Sequence, residues 1–157
     1  MSPTDDRAPV EGAADGGLEL RQFKASYESF GILVDYLART PPFQNFRLKD
    51  LIPALKHQLA SGHHVCAFRE DRLVGYCGWL LVTVAMGEKW RSGSGDLKPV
   101  ADAQADAAAL TIVRADAPES VLPMIRAART LNKGRRVFFR RDYEKGTRQK
   151  RQTVLNR

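Results

Sequence analysis

Three histidines, His57, His63 and His64, are the side chains in this sequence best suited to move a proton near neutral pH. An imidazole has an unperturbed pKa of about 6.5, so it can serve as a general base under those conditions. Each histidine also has an ordinary explanation. His57 falls late on an expected helix, where solvation or the helix dipole accounts for it, and His63 and His64 fall in a helix-to-strand turn. All three are therefore candidate bases, with a structural role as the alternative.

The two cysteines, Cys66 and Cys77, lie in alternating apolar segments and do not form a CxxC pair. This placement favours neither a metal site nor a disulfide. We predict that both are buried free thiols, because free cysteine packs as a small hydrophobic residue.

The positive charge of the chain is concentrated at its C-terminal end. The 157 residues include 25 Lys and Arg and 18 Asp and Glu. Ten of the basic residues but only two of the acidic ones lie between Lys133 and Arg157. A patch of this kind attracts polyanions such as nucleic acid, an anionic membrane or an acidic protein, although runs of like charge are also typical of a solvated tail. The predicted partner-binding residues are Arg135, Arg136, Arg140, Arg141, Lys145, Arg148, Lys150 and Arg151.

The elements that would position these residues begin with two helices and a hairpin. Apolar residues recur at helical spacing over residues 27–37 and again over 48–59. Residues 64–68 and 73–82 are rich in strand-forming residues and flank a charged turn, which predicts two adjacent antiparallel strands.

The second half of the chain predicts a loop and a β-α-β unit. Residues 87–106 combine Gly, Ser, Pro and charge and are expected to form a long, functional loop. A strand is expected over 107–113, a helix over 118–131 and a last strand over 135–143, with the two strands parallel. The predicted fold is α/β (α+β) with a mixed sheet, in the order α-α-β-β-loop-β-α-β.

The length fits one domain, which we place at residues 18–145. Residues 1–17 are rich in Ala, Gly, Pro and Asp and are expected to form a disordered arm, and residues 146–157 a basic tail. No apolar stretch is long enough to cross a bilayer, and the polar start does not look like a signal peptide. We therefore expect a cytoplasmic protein.

Four segments together resemble the RTX-toxin-activating lysine acyltransferases, a family with a GNAT-like fold. Residues 41–46 (Pro-Pro-Phe-Gln-Asn-Phe) are similar to the family's Pro-x-His-x-x-Trp, and residues 51–57 to its second helix. Residues 69–79 resemble its charged turn and Tyr-Cys-x-Trp strand. Residues 90–96 resemble its Trp-x-Ser-Gly-Asp, with two additional residues. The resemblance covers residues 27–143 and implies transfer of an acyl group from acyl carrier protein to a lysine or another amine of a protein acceptor.

The chain departs from that family at both positions where the family carries its catalytic groups. Phe43 stands where the family has its histidine. Thr111, or Leu110 if the register shifts, stands where the family has its aspartate. Acyl transfer to an amine needs a base and donors for the developing oxyanion. Either a substitute base acts here, with His57, His63 and His64 as candidates, or the protein is a catalytically inactive binding module or regulator. Nucleic-acid binding through the basic end is a third hypothesis.

The segment that follows the strand expected over 107–113 argues against binding of acetyl-CoA. In GNAT enzymes a glycine-containing loop leading into a helix holds the pyrophosphate. Residues 114–120 contain no glycine, and Asp116 and Glu119 would repel phosphate. We therefore expect no bound cofactor and no acetyl-CoA. The resemblance implies acyl carrier protein as the donor and as the partner of the basic end, and it suggests a homodimer.

Overall fold

A mixed β-sheet forms the centre of the protein. The structure, a computed structural model, describes residues 8–9, 17–140 and 153–155. In these residues seven strands lie side by side in chain order, and all neighbours are antiparallel except β5 and β6, which are parallel. The strands are β1 Ala8–Pro9, β2 Leu18–Gln22, β3 His64–Arg69, β4 Arg72–Val82, β5 Ala107–Ala115, β6 Arg136–Phe139 and β7 Thr153–Leu155.

Four α-helices, with local signals at their ends, cover the described part of the sheet. The hydroxyl of Ser26 accepts a hydrogen bond from the Ser29 N–H at the start of the first helix, and Thr83 caps the third in the same way. Gly62, at φ 69°, ends the second helix in the left-handed conformation that glycine tolerates best. The helices are α1 Tyr27–Leu37, α2 Leu48–Ser61, α3 Val84–Arg91 and α4 Val121–Leu131.

The two faces of the sheet have separate hydrophobic cores. Successive side chains of a strand point to opposite faces, and Tyr76 packs with α1 and α2 while Cys77 packs with α4. Helix α3 covers a third cluster, which includes Val82 and Phe138. Gly87 lets α3 approach closely, because a Cβ there would lie 2.3 Å from the Phe138 ring.

The mixed α/β fold predicted from the sequence is confirmed, but two details of the element order were wrong. Strand β2 precedes the first helix and was not predicted. Helix α3 occupies part of the segment predicted as a loop over 87–106, because Gly87 serves helix packing there and not a turn. The parallel pairing of β5 with β6 is as predicted.

Several predicted segments fall largely outside the described residues. These are the arm at 1–17, of which the structure describes Ala8–Pro9 and Gly17, and the tail at 146–157, of which it describes Thr153–Leu155. The end of the strand predicted over 135–143 also lies outside them. Within the described residues, every helix is too short or too polar to cross a membrane.

Candidate active site

Strand β5 loses one of its two neighbours halfway along its length. Its pairing with β6 runs from Ala107 to Leu110, opposite Arg136 to Phe139, whereas the strand continues to Ala115. The first four residues are buried, and four of the remaining five are only half-buried. Among the described residues, the second half of β5, residues 111–115, therefore has an open edge, which we call the β5 edge.

The hydrogen-bond pattern shows which backbone groups face the β5 edge. Asp116 N–H donates to the Val74 carbonyl at 2.8 Å, just beyond the Gly75–Ala115 pair. In an antiparallel ladder, residues alternate between those bonded to the neighbouring strand and those turned away from it. Val113 and Ala115 lie at odd offsets from Asp116, so their N–H and C=O groups point away from β4. Within the described part of the chain no strand lies beside them, so an extended group could pair with them along the edge.

A β-bulge lies at the start of this edge. Gly78 pairs with Ile112 and Trp79 pairs with Leu110, so Thr111 has no partner across β4. Bulges often occur beside active sites, where they redirect a side chain. The bulge turns both Thr111 and Ile112 toward the face covered by α1 and α2, where Thr111 meets Gln58 of α2.

A buried polar network holds the bulge. Tyr76 donates its hydroxyl hydrogen to Gln58 Oε1 at 2.8 Å, and Gln58 Nε2 donates to Thr111 Oγ1 at 2.9 Å. The Thr111 hydroxyl lies 3.5 Å from the Gly78 carbonyl. Burial raises the pKa of Tyr76 well above its ordinary value, so its hydroxyl remains a donor. Gln58 is fully buried, and the network satisfies both ends of its amide.

Glycine is the only residue type that fits at position 78 without rearrangement of this network. A Cβ on Gly78 would lie 2.1 Å from Gln58 Oε1. The glycine in the Tyr-Cys-Gly-Trp strand therefore makes room for the amide that supports the bulge.

Among the three candidate bases, His64 is engaged on both sides of its ring. Its Nε2 accepts a hydrogen bond from the Phe23 N–H at 2.9 Å, and its Nδ1 lies 3.1 Å from the Gln58 carbonyl, which can only accept. The ring is therefore neutral, with its proton on Nδ1. Burial lowers the pKa of His64. This geometry gives His64 a structural role, joining the start of α1 to the end of α2.

His63 is better placed to take up a proton. Its ring is stacked on that of Trp79 at 6.3 Å between centroids, and the His57 ring meets it edge-on at 5.9 Å. Burial first, and then His57, lower the pKa of His63. His63 is therefore neutral at pH 7, the form that accepts a proton. Its carbonyl also accepts from the Trp79 N–H at 3.0 Å, which joins it to β4 beside the bulge.

Phe43 and Thr111, which depart from the residues expected by resemblance, have different roles in the structure. Phe43 is buried in the core of α1 and α2 and meets Phe46 edge-on at 5.2 Å. Thr111 lies in the bulge and bonds to Gln58. The structure thus gives Phe43 a packing role and leaves Thr111 beside the candidate site.

A charged cluster lies where the β5 edge ends. The Arg114 guanidinium is 3.9 Å from the Tyr36 ring centroid and also pairs with Asp116. Tyr36 donates its hydroxyl hydrogen to Asp116 at 3.1 Å. Burial is the main cause that raises the pKa of Tyr36. Asp116 precedes the short 3-10 turn Pro118–Ser120 that leads into α4, so the acid predicted to repel phosphate stands near the start of that helix.

The described members of the predicted partner-binding set make contacts inside the molecule. Arg135 pairs with Asp102 at 2.9 Å, and Arg136 pairs with Glu88 of α3 at 3.1 Å. Arg140 donates to the Trp90 carbonyl at 3.2 Å. These arginines fasten α3 and the following loop to β6, and an acidic partner would compete with those contacts. The other five, Arg141, Lys145, Arg148, Lys150 and Arg151, lie outside the described residues.

Both cysteines are buried free thiols, as predicted. Burial raises the pKa of Cys77 to about 12, which keeps it protonated and unreactive. Within the described part of the chain, no three His, Cys, Asp or Glu side chains lie together as metal ligands.

Sequence reasoning missed Gln58 and Tyr76. One signal was present: Gln58 interrupts the apolar face of α2 between Leu55 and Leu59, and a polar residue on a buried face needs a partner. The identity of that partner depends on the fold, since Thr111 is 53 positions away.

No protein-family model matches this chain, and no curated protein matches it either.

Proposed function

We propose that this protein is an acyltransferase that takes an acyl group from acyl carrier protein and transfers it to a lysine or another amine of a protein acceptor. The observation that carries the proposal is the β5 edge beside the bulge at Thr111. A half-buried strand edge next to a supported bulge is a place where an extended substrate can pair with the backbone.

The chemistry of the donor fits this edge. The prosthetic arm of acyl carrier protein is an extended chain that contains amide groups and ends in an acyl thioester. Its amides can pair with the outward N–H and C=O groups of Val113 and Ala115 as a strand would. A backbone N–H near the bulge would donate to the oxyanion that develops on the thioester carbonyl.

We take His63 as the base, because its ring is neutral and its Nδ1 has no hydrogen-bond partner within the described residues. The ammonium of the acceptor gives one proton to His63, and the freed amine attacks the thioester carbonyl. A C–N bond forms, the C–S bond breaks, and the thiolate leaves. The tetrahedral intermediate sheds its second N–H proton to bulk water, and the proton on His63 passes to the thiolate. Atoms and charge balance without a metal or redox cofactor.

The cellular compartment is part of this proposal. Cys66 and Cys77 are free thiols rather than a disulfide, as is usual in a reducing compartment. We place the reaction in the cytoplasm, where acyl carrier protein is loaded.

Mass spectrometry tests the proposal. The full chain would be incubated with long-chain acyl carrier protein and a lysine-containing acceptor, in parallel with His63→Ala and His57→Ala. Acyl mass on the acceptor, greatly reduced by His63→Ala and less so by His57→Ala, is the expected result. Unmodified acceptor with the parent protein at every donor concentration would refute catalysis.

One observation favours a second function, that of a catalytically inactive binding module. Phe43 packs in the hydrophobic core, and both ring nitrogens of His64 make hydrogen bonds. Two of the positions where a base could act therefore have structural roles. Binding of acyl carrier protein without transfer would support this function over the first.

A further inference from the structure

Helix α4 presents a one-sided row of positive charge. Leu122, Arg126 and Arg129 are spaced i, i+4 and i+7, which places them on one face of the helix. Lys133 follows the C-cap residue Asn132. No acidic residue occurs between Val121 and Leu131. We call Leu122, Arg126, Arg129 and Lys133 the α4 stripe.

Three members of the α4 stripe are exposed and Arg129 is half-buried, whereas the opposite side of α4 is buried. Met124 and Ala128 are fully buried against the sheet. Leu122 is 53% exposed, and Arg126 and Lys133 are exposed. Within the described residues, neither Arg126 nor Lys133 forms an ion pair. Cations near a helix C-terminus stabilise the helix slightly, but this does not explain an exposed leucine in the same row.

The α4 stripe lies next to the candidate site along the chain. Strand β5 ends at Ala115, and only residues 116–120 separate it from the first residue of α4. Leu122, near the start of α4, is therefore the member of the stripe that lies nearest to the end of the β5 edge along the chain.

We infer that the α4 stripe is the docking surface for the acidic face of acyl carrier protein, an inference that rests on the proposed function. Charge complementarity selects an acidic partner and speeds its association. Leu122 favours a protein over a nucleic acid, because protein interfaces combine an apolar centre with a charged rim, whereas phosphate contacts need only the cations. The stripe is distinct from Arg135, Arg136 and Arg140, whose side chains are engaged with α3 and the loop that follows it.

Charge reversal tests the inference with a matched control. Arg126→Glu/Lys133→Glu changes the stripe, and Lys49→Glu/Lys98→Glu makes the same change in net charge at exposed positions on α2 and in the loop after α3. Titration of the full-length variants with acyl carrier protein at low salt should show about tenfold weaker binding for the stripe variant and little change for the control. Equal affinities for the two variants would overturn the inference.

A second donor separates the inference from the proposed function. The stripe variant should lose transfer from acyl carrier protein but keep transfer from a free acyl-pantetheine thioester, which has no acidic protein to dock. If the stripe variant binds acyl carrier protein more weakly but the parent protein never transfers acyl groups, the docking surface is supported and the proposed enzymatic function is refuted. If the stripe variant transfers acyl groups from acyl carrier protein as fast as the parent does, the docking surface is refuted and the enzymatic function is not. Tighter binding of a duplex oligonucleotide than of the carrier, lost in the same variant, would also overturn it.

Discussion

The two halves of strand β5 differ in sequence, in pairing and in what they can do. The first half, residues 107–110, is Ala-Ala-Ala-Leu, is buried and lies between β4 and β6. The second half, residues 111–115, begins with the bulge at Thr111, carries Arg114 and pairs only with β4 among the described strands. Within the described residues, the first half is paired on both sides, whereas the second half has a neighbouring strand on one side only. One strand thus supplies both the centre of the fold and the candidate site.

The largest effect on stability is expected beside the paired half, where α3 packs on Phe138 of β6, the residue that pairs with Ala109. Gly87 of α3 lies against Phe138, and the added methyl of Gly87→Ala would fall 2.3 Å from that rigid ring. We expect a loss of about 3 kcal/mol in the free energy of unfolding, measured with urea. Gly31→Ala on α1 is the control, since a Cβ there meets open space, and it should stabilise the protein by up to about 1 kcal/mol. A tolerated Gly87→Ala would contradict the packing of α3 described above.

A smaller effect is expected from the network that holds the bulge. Thr111→Val keeps the shape of the side chain but leaves Gln58 Nε2 without its acceptor. We expect a loss of about 1 to 3 kcal/mol in urea unfolding. Acyl transfer should fall as well, because the bulge would no longer be held. If Thr111→Val were as stable and as active as the parent, the network would not support the site.

The sequence predicted some of this fold because some of its signals are local. Helix α1 has the predicted bounds, since its apolar spacing and the Ser26 cap both lie within the segment. Strand β2 has only Leu18 and Leu20 as its buried apolar residues, too few for a pattern. Residues 87–91 of helix α3 were predicted as part of a loop, because Gly87 breaks the local pattern and its role depends on packing against Phe138. The β5 edge could not be predicted at all, because it depends on where β6 stops.

A pH effect follows from the geometry of His64. Its pKa is lowered by burial, so the unfolded chain binds a proton at a higher pH than the folded chain does. Stability should therefore be full above about pH 6.5 and should fall as the pH drops below it, by at most roughly 1.4 kcal/mol per pH unit for each such group. Urea unfolding between pH 5 and 8 measures this slope. The slope should decrease in His64→Gln, and an unchanged slope would assign the titration to other groups.

If the outward backbone groups of the β5 edge hold the acyl donor, removal of one of them should slow acyl transfer. Ala115→Pro removes one outward N–H, and proline is tolerated where a strand's N–H faces no neighbour. Ala115→Ser keeps the N–H and is the control. The most direct measurement is the rate of acyl transfer from acyl carrier protein in the two variants, with circular dichroism showing that both are folded. We expect the transfer rate of Ala115→Pro to be about one tenth of the parent rate or lower, and that of Ala115→Ser to be near the parent rate. Equal rates in two folded variants would contradict this expectation.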